Sequence, residues 1–148
     1  VVEGGHGISI QCDKVLNDEV INYDMIILPG GYDGADNMKN SEKVITILRK
    51  MNEKGKYICA MCAAPIVLEK ANLLENKKYT AYMGYNQKIK QGNYLEDKVV
   101  IDGNIVTSRG PATAYAFAYK LVELLGGDSL TVKKRMVYFN AFDVKEDE

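Results

Sequence analysis

The sequence predicts an α/β fold in which a mostly parallel sheet is covered by helices on both faces. Two short continuous apolar runs, Met25 to Leu28 and Tyr57 to Met61, have the length and composition of buried strands. Each run is followed by a stretch with helical features, and this alternation of strand and helix favours a parallel sheet. Ligand sites in such sheets lie at the carboxyl ends of the strands, so the residues that follow each run are candidates for function.

The N-terminal residues predict a hairpin. Val1-Val2 and Ile8 to Ile10 flank the glycine-rich stretch Glu3 to Gly7, which is typical of a turn. His6 is the single histidine of the chain, and we interpret it as a solvated residue of that turn. Asp13 to Tyr23 is polar and irregular.

Two segments separate the first buried strand from the second. Met25 to Leu28 ends at the glycine turn Pro29-Gly30-Gly31, and Asp33 to Asn40 is interpreted as a loop or a short helical turn. Ser41 suits the N-cap of a helix that Lys54-Gly55 ends. Apolar residues recur through that helix at helical spacing.

The segment after residue 72 predicts a strand and a hairpin. Tyr79 to Tyr82 is read as a short strand, whereas the tyrosine-rich stretch Met83 to Leu95 has no clean period. Asp102-Gly103 stands between two apolar runs, Lys98 to Ile101 and Asn104 to Thr107. Asp-Gly in this setting is a strong signal for a two-residue hairpin turn.

The C-terminal part predicts helices and a tail. Ala112 to Leu125 has the pattern of a helix stopped by Gly126-Gly127. Leu130 to Tyr138 is a short last helix or an extended segment. Residues 143–148 are acidic, and we expect them to form a disordered tail.

Cys62 lies where a predicted strand meets a predicted helix. Pro65 suits the first turn of that helix because its φ is fixed and its missing N–H is not needed there. Such a corner pushes a side chain out of the sheet, which is the arrangement of a nucleophile elbow, here with the small residues Ala60, Ala63 and Ala64 in place of glycines. The N–H groups at the helix start would stabilise a thiolate. The alternative is a small buried hydrophobe, which is the commoner state of a free cysteine.

Three stretches of unusual residues are expected at the same edge of the sheet, and they are Pro29-Gly30-Gly31, Cys62-Ala63 and Ser108-Arg109-Gly110-Pro111. This convergence favours Cys62 as the catalytic residue. Gly30 and Gly31 could offer backbone N–H groups to an oxyanion pocket that faces the sulfur.

Composition narrows the class of function. The chain has 148 residues, which is about one domain, and its formal net charge of −1 without a long basic run argues against nucleic acid as a partner. The sequence shows neither a signal peptide nor an apolar run long enough to cross a bilayer, so we expect no membrane partner. Three cysteines without disulfide-framework spacing indicate a reducing, cytoplasmic compartment.

Three stretches, taken together and in order, resemble the signatures of the ThiJ/PfpI family, which includes the Parkinsonism-associated deglycase and belongs to the class I glutamine amidotransferase-like superfamily. They are Leu28 to Gly31, Ala60 to Pro65 and Thr107 to Thr113. The resemblance implies a flavodoxin-like three-layer sandwich, commonly a homodimer, that spans residues 1–148 as one domain. It also implies that Cys62 is the elbow cysteine, with Gly31 and Ala63 as backbone donors. Gln11-Cys12 resembles a stretch at the dimer interface of the eukaryotic branch.

Two departures from the family pattern matter. The family carries a glutamate after its first strand that hydrogen-bonds the cysteine, and the sequence has no matching segment or N-terminal βα unit. We therefore expect about 40 further residues at the N-terminus, the length of a βα unit plus a following strand. The second departure is Tyr82, which stands where many relatives carry a histidine. Tyr82, Arg109, Gly110 and Pro111 are expected to line the site.

Two functions compete. The first is a cysteine-dependent glyoxalase- or deglycase-type enzyme that acts on small reactive carbonyls or their protein adducts, with Cys62 adding to an aldehyde. The second is a non-enzymatic oxidative-stress sensor or chaperone in which Cys62 is oxidised to the sulfinate. Neither function calls for a cofactor or a metal.

Other assignments fit the residues less well. A PfpI-type peptidase places a histidine directly after the nucleophile, where this chain has Ala63, and an amidotransferase triad needs a histidine other than the distant His6. Cys59 and Cys62 form C-x-x-C, but three extended residues span about 10 Å. A disulfide tolerates roughly 7 Å between Cα atoms, so we expect Cys59 to be a core residue. Cys12, Cys59, Cys62 and His6 have no recognisable zinc-ligand spacing.

Overall fold

The structure, a computed structural model, describes residues 1–141, in which there are eight strands and six α-helices. The strands are β1 Val2–Glu3, β2 Ser9–Ile10, β3 Met25–Leu28, β4 Tyr57–Met61, β5 Lys78–Tyr79, β6 Asn93–Tyr94, β7 Val99–Asp102 and β8 Ile105–Ser108. The α-helices are α1 Tyr32–Lys39, α2 Glu42–Glu53, α3 Pro65–Lys70, α4 Tyr85–Lys88, α5 Ala114–Leu124 and α6 Ser129–Arg135. Short 3-10 turns occupy Asp18–Asn22 and Pro111–Thr113.

The central sheet has the strand order β3-β4-β8-β7. β4 pairs in parallel with β3, from Met25 opposite Tyr57, and with β8, from Ile58 opposite Ile105. β7 is antiparallel to β8 and forms one edge of the sheet. The predicted mostly parallel sheet is confirmed, and β4 lies inside it because its apolar run has partners on both sides.

Helices cover both faces of this sheet, as the alternation of the sequence predicted. On one face, Ile58, Ala60 and Ile105 pack with the buried residues of α1, α2 and α3. On the other face, Cys59 and Val106 pack against Phe117 and Leu121 of α5. Successive residues of a strand point to opposite faces, so β4 contributes to both cores. The result is a three-layer sandwich.

Several predicted elements have different bounds in the structure. Asp33 to Asn40, read as a loop or a short helical turn, is most of helix α1. The predicted strand Tyr79 to Tyr82 is limited to Lys78–Tyr79, which pairs in parallel with β6 outside the central sheet. The backbone N–H of Thr80 instead donates to Thr107 Oγ1 at 2.9 Å, and that of Lys78 to a carboxylate oxygen of Asp102 at 2.8 Å. These side-chain acceptors replace a strand partner.

The remaining elements follow the sequence closely. The N-terminal hairpin is formed by β1 and β2, and Ser41 caps α2 by accepting the N–H of Val44. The predicted hairpin β7–β8 is present with its turn one residue later, because Asp102 pairs with Ile105 across Gly103-Asn104. α5 starts at Ala114 instead of Ala112, because a 3-10 turn comes first.

The predicted tail, residues 143–148, lies outside the described residues. Within residues 1–141, none of the helices has the length and apolar character needed to cross a bilayer.

Candidate functional site

The carboxyl ends of β3, β4 and β8 meet at one edge of the sheet, as their parallel pairing requires. Leu28 pairs with Ala60, and Met61 pairs with Ser108. The segments that begin one residue later, at Pro29, Cys62 and Arg109, therefore lie side by side. The structure thus brings together the three stretches that the sequence singled out.

Cys62 has a left-handed backbone conformation, with φ of 60°. This region costs a residue other than glycine about 1–2 kcal/mol. Two hydrogen bonds hold it in place, because Cys62 N donates to Ser108 O at 3.0 Å and Tyr82 N donates to Cys62 O at 2.8 Å. The chain then turns into α3 at Pro65, as the sequence predicts. The side chain of Cys62 is half-buried, and backbone strain of this kind is concentrated at functional sites.

Gly30 lies directly against the cysteine. A Cβ atom at Gly30 would stand 2.8 Å from Cys62 Cβ and 2.7 Å from Met61 O, and 3.6 Å from Ala63 N. Only glycine fits such a gap, and its φ of 99° also requires glycine. The turn therefore brings a second backbone segment to Cys62 without side-chain obstruction.

Gly31 and Ala63 frame the same corner. Gly31, with φ of 83°, is the N-cap of α1, and its carbonyl accepts the N–H of Ala35 at 2.9 Å. Ala63 is fully buried next to Cys62. That Gly30, Gly31 and Ala63 act as N–H donors toward a charged group at the sulfur stays a prediction.

Three tyrosine rings pack together next to the Cys62 corner. The Tyr32 ring meets that of Tyr82 edge-on at 5.9 Å between centroids and stacks on that of Tyr85 at 6.4 Å. A hydrogen bond with the Tyr82 side chain, followed by burial and the charges of Tyr82, Tyr85 and Cys62, raises the pKa of Tyr32. Burial, together with the charges of Asp36 and Cys62, raises the pKa of Tyr85. Tyr82 N donates to the carbonyl of Cys62, so this group of rings adjoins the cysteine.

The segment after β8 is organised by Thr113. Thr113 Oγ1 accepts the N–H groups of Arg109 at 3.2 Å and Gly110 at 3.1 Å. Gly110 lies against Tyr82, because a Cβ at Gly110 would stand 3.4 Å from Cδ2 of that ring. Arg109 donates from Nη2 to the Tyr94 hydroxyl at 3.3 Å, and the exposed Pro111 opens the 3-10 turn.

The other two cysteines occupy different environments. Cys59 is fully buried in β4, and burial raises the pKa of its thiol to about 12. Cys12 is exposed after the N-terminal hairpin. The prediction that Cys59 is a core residue is confirmed. Within residues 1–141, His, Cys, Asp and Glu side chains form no group of three or more that could hold a metal ion.

Sequence reasoning missed Tyr32, Tyr85 and Thr113 as members of this site. Tyr32 had a usable signal, since it is the first residue after the glycine turn that ends β3. Tyr85 had none, because it belongs to the stretch without a clean period. Thr113 was quoted within the third signature stretch, but its bonds to Arg109 and Gly110 depend on the loop that the structure forms there.

The fold and the site define a three-layer α/β protein with a cysteine at a strand-to-helix elbow. A family model described as DJ-1/PfpI family matches residues 1–124, and the chain belongs to this family. The resemblance noted in the sequence is thereby confirmed.

The chain is similar to several named relatives. It is 43% identical over 135 residues to Protein dj-1beta of Drosophila melanogaster, covering 85% of this chain and 72% of that protein. It is 36% identical over 129 residues to Deglycase PfpI of Pyrococcus furiosus, covering 84% of this chain and 76% of the relative. The crystal structure of Drosophila DJ-1beta superimposes with a TM-score of 0.76 at 39% identity, covering 80% of this chain and 67% of the other.

Coverage differs among the relatives. Protein DJ-1 homolog B of Arabidopsis thaliana is 39% identical over 122 residues, which are 81% of this chain and 28% of that protein. The chain therefore spans less than a third of the Arabidopsis relative and about three quarters of the Drosophila and Pyrococcus ones.

Proposed function

We propose that the chain carries the active site of a glyoxalase- or deglycase-type enzyme that acts on small reactive carbonyls or on their adducts with proteins. The observation that carries this proposal is the backbone of Cys62, held at φ of 60° at the end of β4 with Gly30 packed against it. The name of the relative Deglycase PfpI supports the same class of activity.

In the proposed reaction, the Cys62 thiolate adds to the aldehyde carbon of the substrate. A carbon–sulfur bond forms, and one pair of the carbonyl bond moves to oxygen and gives the alkoxide of a hemithioacetal. Backbone N–H groups of Gly30, Gly31 and Ala63 are the candidate donors to that oxygen. Tyr82, Arg109, Gly110 and Pro111 line the substrate pocket in this proposal.

A second candidate is an oxidative-stress sensor or chaperone that uses the same cysteine. It is favoured by the contrast between the half-buried thiol of Cys62 and the fully buried thiol of Cys59. A thiolate that keeps contact with water is oxidised to sulfenic and then sulfinic acid.

The test separates these two functions by one variant and one control. We expect turnover of methylglyoxal by the protein, a loss of at least about 100-fold in Cys62→Ser, and no change in Cys12→Ser, whose cysteine is exposed elsewhere. Equal turnover in Cys62→Ser would refute the enzymatic role of Cys62. No turnover, combined with selective oxidation of Cys62 by dilute peroxide, would establish the sensor in place of the enzyme.

We also propose a homodimer in a cytoplasmic setting, in which residues 1–148 act as one domain. The apolar side chains of Ile8, Ile10 and Val15 are exposed near Cys12, and free cysteines suit a reducing compartment. Sedimentation at micromolar concentration should give twice the monomer mass. A charged substitution, Ile10→Glu, should reduce that mass to the monomer, and a monomer in the unaltered protein would refute the dimer.

A further inference from the structure

Thr113 directly precedes α5, and its hydroxyl group contacts the segment that follows β8. Thr113 Oγ1 accepts the N–H groups of Arg109 at 3.2 Å and Gly110 at 3.1 Å. The same oxygen lies 2.7 Å from Ser108 Oγ and 3.0 Å from the carbonyl oxygen of Gly110. Ser108 Oγ lies 2.6 Å from the carbonyl oxygen of Lys98. These contacts carry an inference that rests on the proposed function.

The hydroxyl hydrogens of Ser108 and Thr113 can be assigned from this geometry. A carbonyl oxygen only accepts, so the contact with Lys98 O uses the hydrogen of Ser108. The contact between the two hydroxyl groups then uses the hydrogen of Thr113, whose alternative acceptor, Gly110 O, is more distant. Thr113 Oγ1 keeps both lone pairs for the N–H groups of Arg109 and Gly110. The four bonds form one relay, in which each bond polarises and strengthens the next.

The relay is connected to both backbone hydrogen bonds of Cys62. Cys62 N donates to the carbonyl of Ser108, whose side chain belongs to the relay. Cys62 O accepts the N–H of Tyr82, and the ring of Tyr82 lies against Gly110. A left-handed backbone such as that of Cys62 persists only when its surroundings fix it. Both contacts that fix it lead to the hydroxyl group of Thr113.

We infer that Thr113 is a positioning residue for Cys62. Its hydroxyl group holds the loop after β8, and this loop holds the backbone of Cys62 at the strand-to-helix corner. This role needs no contact between Thr113 and the substrate. Valine has nearly the shape of threonine but cannot accept the two N–H groups, so it would leave them without a partner and release the loop. Serine keeps the hydroxyl group and should keep the loop in place.

Amide hydrogen exchange measures this effect directly, because the N–H of Cys62 exchanges when its bond to Ser108 O opens. We expect exchange at Cys62 to become about tenfold faster in Thr113→Val, the scale of one lost hydrogen bond. Exchange at Ile58, which donates to Asn104 O at 2.8 Å from the same strand, should stay within about twofold. Thr113→Ser should restore the rate at Cys62 to within about twofold of the unaltered chain.

Thr80→Val is the matched control for this substitution. Thr80 is fully buried, and within residues 1–141 its hydroxyl oxygen has no hydrogen-bond partner. The same change of residue therefore removes a hydroxyl group without removing a bond. Exchange at Cys62 and Ile58 should stay within about twofold. An equal increase at Cys62 in Thr80→Val and Thr113→Val would overturn the inference.

Turnover of methylglyoxal gives a second measurement. A misplaced nucleophile slows the chemical step more than it weakens binding, so kcat should fall about tenfold in Thr113→Val with KM within about twofold. Thr113→Ser should restore kcat. An unchanged kcat in an active enzyme would overturn the inference. No turnover by the unaltered protein, combined with the expected change in exchange at Cys62, would refute the proposed enzyme and retain the positioning role.

Three exchange results would also overturn the inference. Unchanged exchange at Cys62 in Thr113→Val would show that the loop does not hold this residue. Rates that rise together at Cys62 and Ile58 would show a loss of global stability. Failure of Thr113→Ser to restore the rate would show that the hydroxyl group is not the cause.

If Thr113→Val does not fold, the unaltered chain decides. The N–H groups of Arg109 and Gly110 should then be protected from exchange to within about tenfold of that of Cys62, because the loop and the corner open together. Much weaker protection of the loop would show that it opens while Cys62 stays in place, and would overturn the inference.

Discussion

Gly30 and Cys62 approach each other so closely that one methyl group on Gly30 would overlap both the Cβ of the cysteine and the Met61 carbonyl. We expect Gly30→Ala to destabilise the fold by about 2–4 kcal/mol, since the atoms it would meet, Met61 O and Cys62 Cβ, are fixed to the backbone and cannot rotate away. It should also slow alkylation of Cys62, because the corner must open. Urea unfolding and iodoacetamide kinetics measure the two effects.

Gly34 supplies the control for that substitution. It lies inside α1, and a Cβ there would meet nothing within 4 Å. Gly34→Ala should therefore stabilise the fold by about 0.5–1 kcal/mol, the ordinary gain for a helix interior. Similar losses at both positions would contradict the close approach of Gly30 to Cys62.

The strained backbone of Cys62 predicts an inverted order of stability between two variants. Both Cys62→Ala and Cys62→Gly remove the sulfur, but only glycine adopts a φ of 60° without steric cost. We expect Cys62→Gly to be more stable than Cys62→Ala by about 1 kcal/mol. Thermal or urea unfolding of the pair measures this difference, and the usual order, with alanine the more stable, would show that the corner is relaxed.

The thiol of Cys59 should react only when the protein unfolds. Its pKa of about 12 leaves about one thiolate in ten thousand at pH 8, and the residue is fully buried between β3 and β8. Mass spectrometry after iodoacetamide treatment should show labelling of Cys62 and Cys12 in the folded protein. Cys59 should be labelled only after the protein has been unfolded in urea. Labelling of Cys59 before Cys62 would refute the assignment of Cys62 as the elbow.

Asp102 predicts a dependence of stability on pH. The N–H of Lys78, followed by the charge and hydrogen bond of Lys77, lowers the pKa of its carboxyl group against an opposing effect of burial. A lowered folded-state pKa adds stability that is present above the unfolded-state pKa and is lost as pH falls through the folded value. We expect Asp102→Asn to cost about 0.5–1 kcal/mol at pH 7 and nothing in strong acid.

The matched variant for Asp102 is Asp24→Asn. Asp24 bonds to Lys56 at 3.0 Å, but its side chain is 80% exposed. Exposed ion pairs contribute little, so this variant should leave the free energy of unfolding nearly unchanged. Urea unfolding at pH 7 and in strong acid measures the free energy of unfolding of both variants. If Asp102→Asn still lowers that free energy in acid, Asp102 stabilises the fold through packing and not through its charge.

The sequence predicted the strand that has strand partners on both sides. It did not predict the segment whose backbone N–H groups bond to side chains. β4 runs from Tyr57 to Met61 as predicted, because five apolar residues in a row have few alternatives to a central position. The run after Lys78 looked similar, yet Thr80 donates to the side chain of Thr107, a residue distant in sequence. No local pattern encodes such a partner.

Some residues of the candidate site could likewise be predicted from local sequence signals, and others could not. Cys62 and Gly30 could be found because a strand end, a proline-started helix and a glycine pair are local signals. Tyr85 could not, because its place in the site depends on stacking against Tyr32, which lies on another segment of the chain. Helix α1 was predicted only as a loop or a short helical turn, because its sequence is mostly polar and Ala35 is its one buried residue.

The pairing of Ile58 with Ile105 and of Met61 with Ser108 also bears on how the protein is made. The strand that leads to the cysteine is translated long before the strand that completes it, and pairing between distant segments is the slow part of folding. The bond from Cys62 N to Ser108 O, and with it the strained corner, forms only after that later strand has joined the sheet. On a chain still emerging from the ribosome, we expect the backbone of Cys62 to be unconstrained until β8 has paired with β4.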